Sequence, residues 1–174
     1  MMKKYIFAFI LLLLNQPGVY AEVSISAGFS PGGTAQARVL QTINSAQLTA
    51  DIAAYEFTSW PVADALAAAA YRGVAVRLVA DAGANRQAWL PAHQLACAGI
   101  PVRLSSRYRI MHNKFIVTGN NLVETGSFNF TAAAANRNAE NVVVINGDRA
   151  VTDEYQTEFN RLWDESVPLP CDRK

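Results

Sequence analysis

The sequence predicts an α/β fold: a layered, mixed β-sheet flanked by helices. Three observations carry this expectation. Apolar strand-like runs alternate with helix-periodic segments from Thr34 to Leu104, an order that builds a parallel sheet covered by helices. Gly and Pro punctuate the junctions. Beyond Ile110 the pattern changes to strands joined through a short turn, which adds antiparallel pairing to the same sheet.

Each element follows from local chemistry. Pro31-Gly32-Gly33 is turn chemistry. Behind it Val39, Leu40 and Ile43 recur at helical spacing, so a helix is expected over roughly 34–46. Leu48 to Thr58 reads as a strand. Pro61 opens an Ala-rich helix that runs to Tyr71 and closes at Gly73. Val74 to Ala80 is an apolar strand of the kind buried on both faces. A third helix is expected over 86–98, then a short strand over 101–104. Ile110–Val117 and Asn121–Thr125 read as a hairpin turning through Thr118-Gly119-Asn120. Asn141–Ile145 is a further strand. Asp148–Trp163 is a closing helix with Val151, Tyr155, Phe159 and Leu162 on one face.

Residues 1–21 have a different character. Lys3 and Lys4 precede an apolar run from Tyr5 to Leu14, and Val19-Tyr20-Ala21 ends in small residues at its outer positions. That is the layout of a secretory signal peptide. The run is too short for a bilayer-spanning helix of roughly 20 residues. The expectation is an exported protein, periplasmic or secreted, with residues 22–174 as one domain and no membrane attachment after cleavage. Cys97 and Cys171, the two cysteines, would then meet an oxidising compartment and can pair. Without His nearby they do not form a zinc site. Loss of Lys3 and Lys4 leaves the mature chain close to neutral, not basic enough for a protein that coats nucleic acid. Positive charge concentrates at Arg103, Arg107, Arg109 and Lys114. Trp60, Trp89, Tyr55 and Phe57 are read as core residues, although such rings can also stack on bases.

The informative segment runs from Met111 to Asn129. His112 and Lys114 are two apart on an expected strand and share a face, while Asn113 and Phe115 take the other. A lone strand histidine is more often structural. A lysine beside it on a half-buried face changes that, because Lys is rarely buried without a partner. The hairpin would bring Ser127 and Asn129 back towards the pair.

His112-x-Lys114 followed by Gly126-Ser127-x-Asn129 resembles the signature of the phospholipase D superfamily. The run Glu124-Thr125-Gly126-Ser127-Phe128-Asn129-Phe130-Thr131 is most similar to the small bacterial endonucleases within it. The resemblance implies a phospholipase D-like fold and a metal-independent phosphohistidine mechanism without cofactor. It implies catalytic roles for His112, Lys114, Ser127, Asn129 and Glu140, the last holding the histidine. One position departs. The family carries an Asp five residues after the Lys, and this chain has Gly119. Strand parity turns that position away from the pair, and a hairpin turn favours a glycine able to take positive φ. Its loss is therefore read as a matter of stability rather than chemistry.

These residue types suit phosphoryl transfer. Lys114 would neutralise the phosphate, and Ser127 and Asn129 would add neutral donors. A neutral imidazole can attack phosphorus, and a protonated one can protonate the leaving oxygen. The scheme needs two imidazoles, yet the other histidine, His93, has no such partners and reads as an ordinary helix residue. A homodimer joining two copies of the motif would supply the second. The expected activity is that of a non-specific endonuclease on nucleic acid, with DNA favoured over RNA, and with Arg107 and Arg109 as further phosphate contacts. Two alternatives stand beside it: a lipid phosphodiesterase using the same motif, and an inactive nucleic-acid-binding member of the family.

Overall fold

The computed structural model describes residues 22–171; the expected signal peptide lies outside them. Thirteen elements follow in chain order. They are β1 (Ser24–Ser30), α1 (Thr34–Ser45), β2 (Thr49–Ala54), α2 (Trp60–Tyr71), β3 (Ala75–Asp81), α3 (Pro91–Cys97), β4 (Val102–Ser105), β5 (Lys114–Thr118), β6 (Leu122–Gly126), α4 (Ala132–Asn136), β7 (Glu140–Asn146), α5 (Arg149–Asp164) and β8 (Val167–Pro168). One eight-stranded sheet has the order β1-β7-β6-β5-β2-β3-β4-β8. The pairs β2–β3 and β3–β4 are parallel, and the others are antiparallel.

Side-chain alternation splits the interior into two layers. Ile52, Ile116 and Val142 face one way, with Val39, Ile43 and Leu66 of α1 and α2. Ala53, Val79, Phe115, Val117 and Val123 face the other way, against Phe159 and Leu162 of α5. Asp51, only 1% exposed, pins α5 to the sheet. It accepts two hydrogen bonds from Arg77 and one from Gln156 of the helix, a paired arrangement that a buried carboxylate needs. A disulfide joins Cys97 at the end of α3 to Cys171 beyond β8.

Several expectations are corrected. The third helix starts at Pro91 instead of residue 86. Proline lacks an N–H and clashes with the carbonyl four residues back, so it opens a helix and cannot sit within one. The strand expected from Ile110 begins only at Lys114. Its neighbours run out there: Lys114 already pairs with Ala54, the last residue of β2, and the Met111 N–H is taken by the Asp81 side chain at 2.9 Å. Gly119 does not supply the positive φ of the hairpin; Asn121 does, at 65°. Gly119 is instead a close-approach residue. An added Cβ would lie 2.8 Å from Thr49 Oγ1 and 3.0 Å from Leu48 Cβ.

Candidate active site

Strand directions collect the predicted residues at one edge of the sheet. β2, β3 and β4 end there, β5 begins there, β6 ends there and β7 begins there. In open α/β sheets, the carboxyl ends of parallel strands are where ligands bind.

Lys114 is the buried centre of this edge, with 8% of its surface exposed. Its Nζ donates to the His112 carbonyl at 2.7 Å and lies 5.3 Å from the centre of the Tyr55 ring. Burial holds its ammonium below the usual lysine range, while the charges of Glu140 and Glu56 pull it back up. His112 is exposed and precedes β5 rather than lying on it. Its ring packs against Tyr55, with centroids 4.7 Å apart. Asn113 turns to the opposite side and reaches Glu158 of α5. A cleft of about 380 Å³ is lined by His112, Asn113, Lys114, Phe115, Tyr155 and Glu158.

Ser127 and Asn129 follow β6 at the same edge. Ser127 Oγ donates to Glu140 Oε2 at 2.6 Å and accepts from the Asn141 N–H at 3.1 Å. Asn129 Nδ2 reaches Glu56 Oε2 at 3.5 Å, and its Oδ1 is buried without a partner. Gly126 is required by crowding, because a Cβ would fall 2.1 Å from the Asn141 carbonyl oxygen. Glu140 accepts from Ser127 and from Asn138 Nδ2. It does not hold the His112 ring as expected: among the described residues, neither ring nitrogen of His112 has a hydrogen-bond partner. The sheet order gives the reason. β6 stands between β5 and β7, so its Ser127 reaches Glu140 first.

The expected cation cluster divides. Arg103 is drawn away to α5, donating to the Trp163 carbonyl at 2.7 Å with its guanidinium over the Trp163 ring. Arg107 and Arg109 are exposed on the loop that leads to His112. Tyr108 between them is held by Arg161 of α5 and by Glu165 at the cap of that helix. Of the four aromatics read as core, Phe57 is fully buried and Tyr55 half-buried, but Trp60 and Trp89 are 49% and 69% exposed. Trp60 opens α2, and Trp89 lies between β3 and α3. His93 lies in α3, with Nε2 3.3 Å from the Asn85 carbonyl oxygen.

Sequence reading missed a supporting node. Asp81, at the end of β3, accepts from the backbone N–H groups of Met111 and Ala84. Asn85, fully buried, donates to the Tyr55 and Asp81 carbonyls and accepts from the Phe57 N–H. Together they fix the segments that carry Tyr55, Glu56 and His112. The signal was an Asp and an Asn four apart at the end of an apolar strand, where polar side chains commonly bind turn backbone.

A family model described as "Cardiolipin synthase, PLD-like domain" matches residues 39–163. The structure is similar to the crystal structure of Nuc from Salmonella typhimurium, a phospholipase D family member. The TM-score is 0.83 at 37% identity, covering 86% of this chain and 99% of that one. It also shares the fold of NucT from Helicobacter pylori, with TM-score 0.77 at 22% identity over 85% of this chain and 100% of that one. Among curated relatives, a mitochondrial cardiolipin hydrolase of Xenopus tropicalis is 31% identical, over 90% of this chain and 74% of its own length. A phospholipase D of Rickettsia felis is 37% identical, over 79% and 68% respectively. On the family match and these relatives, the chain belongs to the phospholipase D superfamily of phosphodiesterases.

Proposed function

We propose that this phosphodiesterase is a metal-independent endonuclease, acting on DNA in preference to RNA through a phosphohistidine intermediate. The observation that carries the nucleic-acid reading is the rim around the His112–Lys114 pair. Trp60 at the start of α2, Arg86 and Trp89 between β3 and α3, and Arg107, Tyr108 and Arg109 between β4 and β5 are all exposed, each on a segment that follows the carboxyl end of β2, β3 or β4. Exposed aromatic faces with interleaved cations suit stacked bases joined by phosphates.

In this reading His112 attacks phosphorus. Lys114, Ser127 and Asn129 hold the non-bridging oxygens, and Arg107 and Arg109 contact neighbouring phosphates. Glu140 orients the donor side of the site through Ser127. The second imidazole, acting as the acid, comes from a second copy of the chain. Two observations support that assembly: one His–Lys pair per chain, and an unpaired apolar row on edge strand β1, where Ile25 and Phe29 are 69% and 62% exposed. The N-terminal pattern of residues 1–21 and the Cys97–Cys171 disulfide favour an exported protein.

A second reading, hydrolysis of a phospholipid diester, is favoured by the names of the Rickettsia and Xenopus relatives. The experiment compares plasmid and single-stranded DNA with cardiolipin vesicles as substrates, in excess EDTA, with His112→Asn as control. DNA cleavage that survives EDTA and is lost in the variant is the expected result, with a dimer in sedimentation. Cleavage that EDTA abolishes and Mg²⁺ restores would refute the metal-independent mechanism. Turnover of vesicles but not DNA would establish the lipid reading instead.

A further inference from the structure

Two carboxylates face Lys114, and the motif accounts for only one. Glu140 belongs to the expected set. Glu56 does not. It lies two residues beyond Ala54, which pairs with Lys114 across β2 and β5. The chain bends at Tyr55 beyond the end of β2, and the Glu56 carboxylate comes close enough to Lys114 for its charge to act on the ammonium. Its Oε2 accepts from Asn129 Nδ2 at 3.5 Å. Its backbone is fixed on both sides by Asn85, through the Tyr55 carbonyl and the Phe57 N–H. Its place beside the site is therefore built into the fold rather than left to a mobile loop.

The consequence is a pattern of paired donors. Each neutral donor assigned to the phosphate already points at a carboxylate: Ser127 at Glu140, and Asn129 at Glu56. The cation between them, Lys114, feels both charges. An incoming phosphate must share its donors with two fixed negative groups. Repulsion from a fixed charge grows in proportion to the charge of the ligand. A phosphodiester carries one negative charge. A phosphomonoester has a second ionisation near pH 6 and carries close to two above neutrality. An additional carboxylate thus penalises the monoester about twice as heavily as the diester.

We propose that Glu56 is a charge filter that sets selectivity for monoanionic phosphodiesters over dianionic phosphomonoesters and eases release of phosphomonoester ends. The inference rests on the assignment of Lys114 and Asn129 as phosphate-binding groups. Direct titration tests it without requiring turnover. Methyl phosphate and dimethyl phosphate are titrated at pH 8 into the wild-type protein, Glu56→Gln and Glu56→Ala by calorimetry or phosphorus NMR. Loss of the carboxylate is expected to tighten methyl phosphate binding about tenfold, while dimethyl phosphate changes by less than about threefold. A purely structural role would move both ligands together. Equal shifts for the two ligands, or none for either, would overturn the filter. Failure of Lys114→Ala to weaken dimethyl phosphate would instead overturn the underlying site assignment. Thermal melts of both Glu56 variants establish that they are folded, and the alanine variant serves if the glutamine amide forms a new bond to Asn129.

Discussion

Glu124 sits in β6 opposite Ile116 and Val144, on the face covered by α1, with 1% of its surface exposed. Its Oε2 is buried without a hydrogen-bond partner. Burial pushes its carboxyl up from the ordinary 4.5 to about 8. The protonated form is therefore the one that the fold accepts. Below pH 4.5 the group is neutral in both folded and unfolded chains and costs nothing by this route. Between pH 4.5 and 8 the unfolded chain releases the proton while the folded chain keeps it. Stability is therefore lost as pH rises, at about 1.4 kcal/mol per pH unit. At pH 7 the accumulated cost is roughly 3 kcal/mol, a large part of what a domain of this size usually has. Glu124→Gln keeps the shape and removes the titration. Urea unfolding of both proteins at pH 5, 6, 7 and 8, with the disulfide intact, should give a stability difference that widens steadily in favour of the variant. Taking the difference at each pH cancels every other titrating group. A difference that stays constant within about 0.5 kcal/mol over that range would refute the reasoning, because water or a donor would then have to reach the carboxylate.

Two further perturbations follow from positions already described. Gly119→Asp should lower stability by about 1–3 kcal/mol through overpacking against Leu48 and Thr49. Its effect on turnover should be small, since the residue lies at the far end of β5 from Lys114, about 16 Å away along the strand. Paired melts and rate measurements check this, and a gain in turnover of orders of magnitude at unchanged stability would mean that the chain is a weakened enzyme. Trp60→Ala and Trp89→Ala should each weaken single-stranded DNA binding by about 1–3 kcal/mol if the rings stack on bases, read by fluorescence anisotropy on the His112→Asn background. Unchanged affinity in both would remove the rim from the substrate path.

Much of this was legible along the chain because the signals are local. Helix periodicity gives α1, α2 and α5 to within a residue or two, and the buried apolar run gives β3. β1 was missed because its pattern is inverted. Ile25 and Phe29 face outwards, while Gly28 and Ser30 face inwards. Only glycine fits at position 28, where a Cβ would meet the Thr34 carbonyl oxygen at 2.6 Å. The His112–Lys114 pair and the Ser127–Asn129 segment could be read because each is contiguous. Tyr55 and Glu56 could not, and the local turn signal of Asp81 and Asn85 did not tie them to the site, since only the sheet order puts the ends of β2 and β3 beside β5. The same order explains why Glu140 meets Ser127 and not the histidine ring.

The pairing of β1 with β7 has a kinetic consequence. Ser24 to Ser30 align with Asn146 back to Glu140, so the earliest strand cannot be hydrogen-bonded until almost the latest has formed. The β2–α2–β3–α3–β4 segment closes through short loops and can assemble first. The outer half must then bridge more than a hundred residues before any contact rewards it, and long-range pairing of this kind slows folding. Until β7 arrives, Ile25 and Phe29 belong to an unpaired strand, which is open to intermolecular strand pairing during folding.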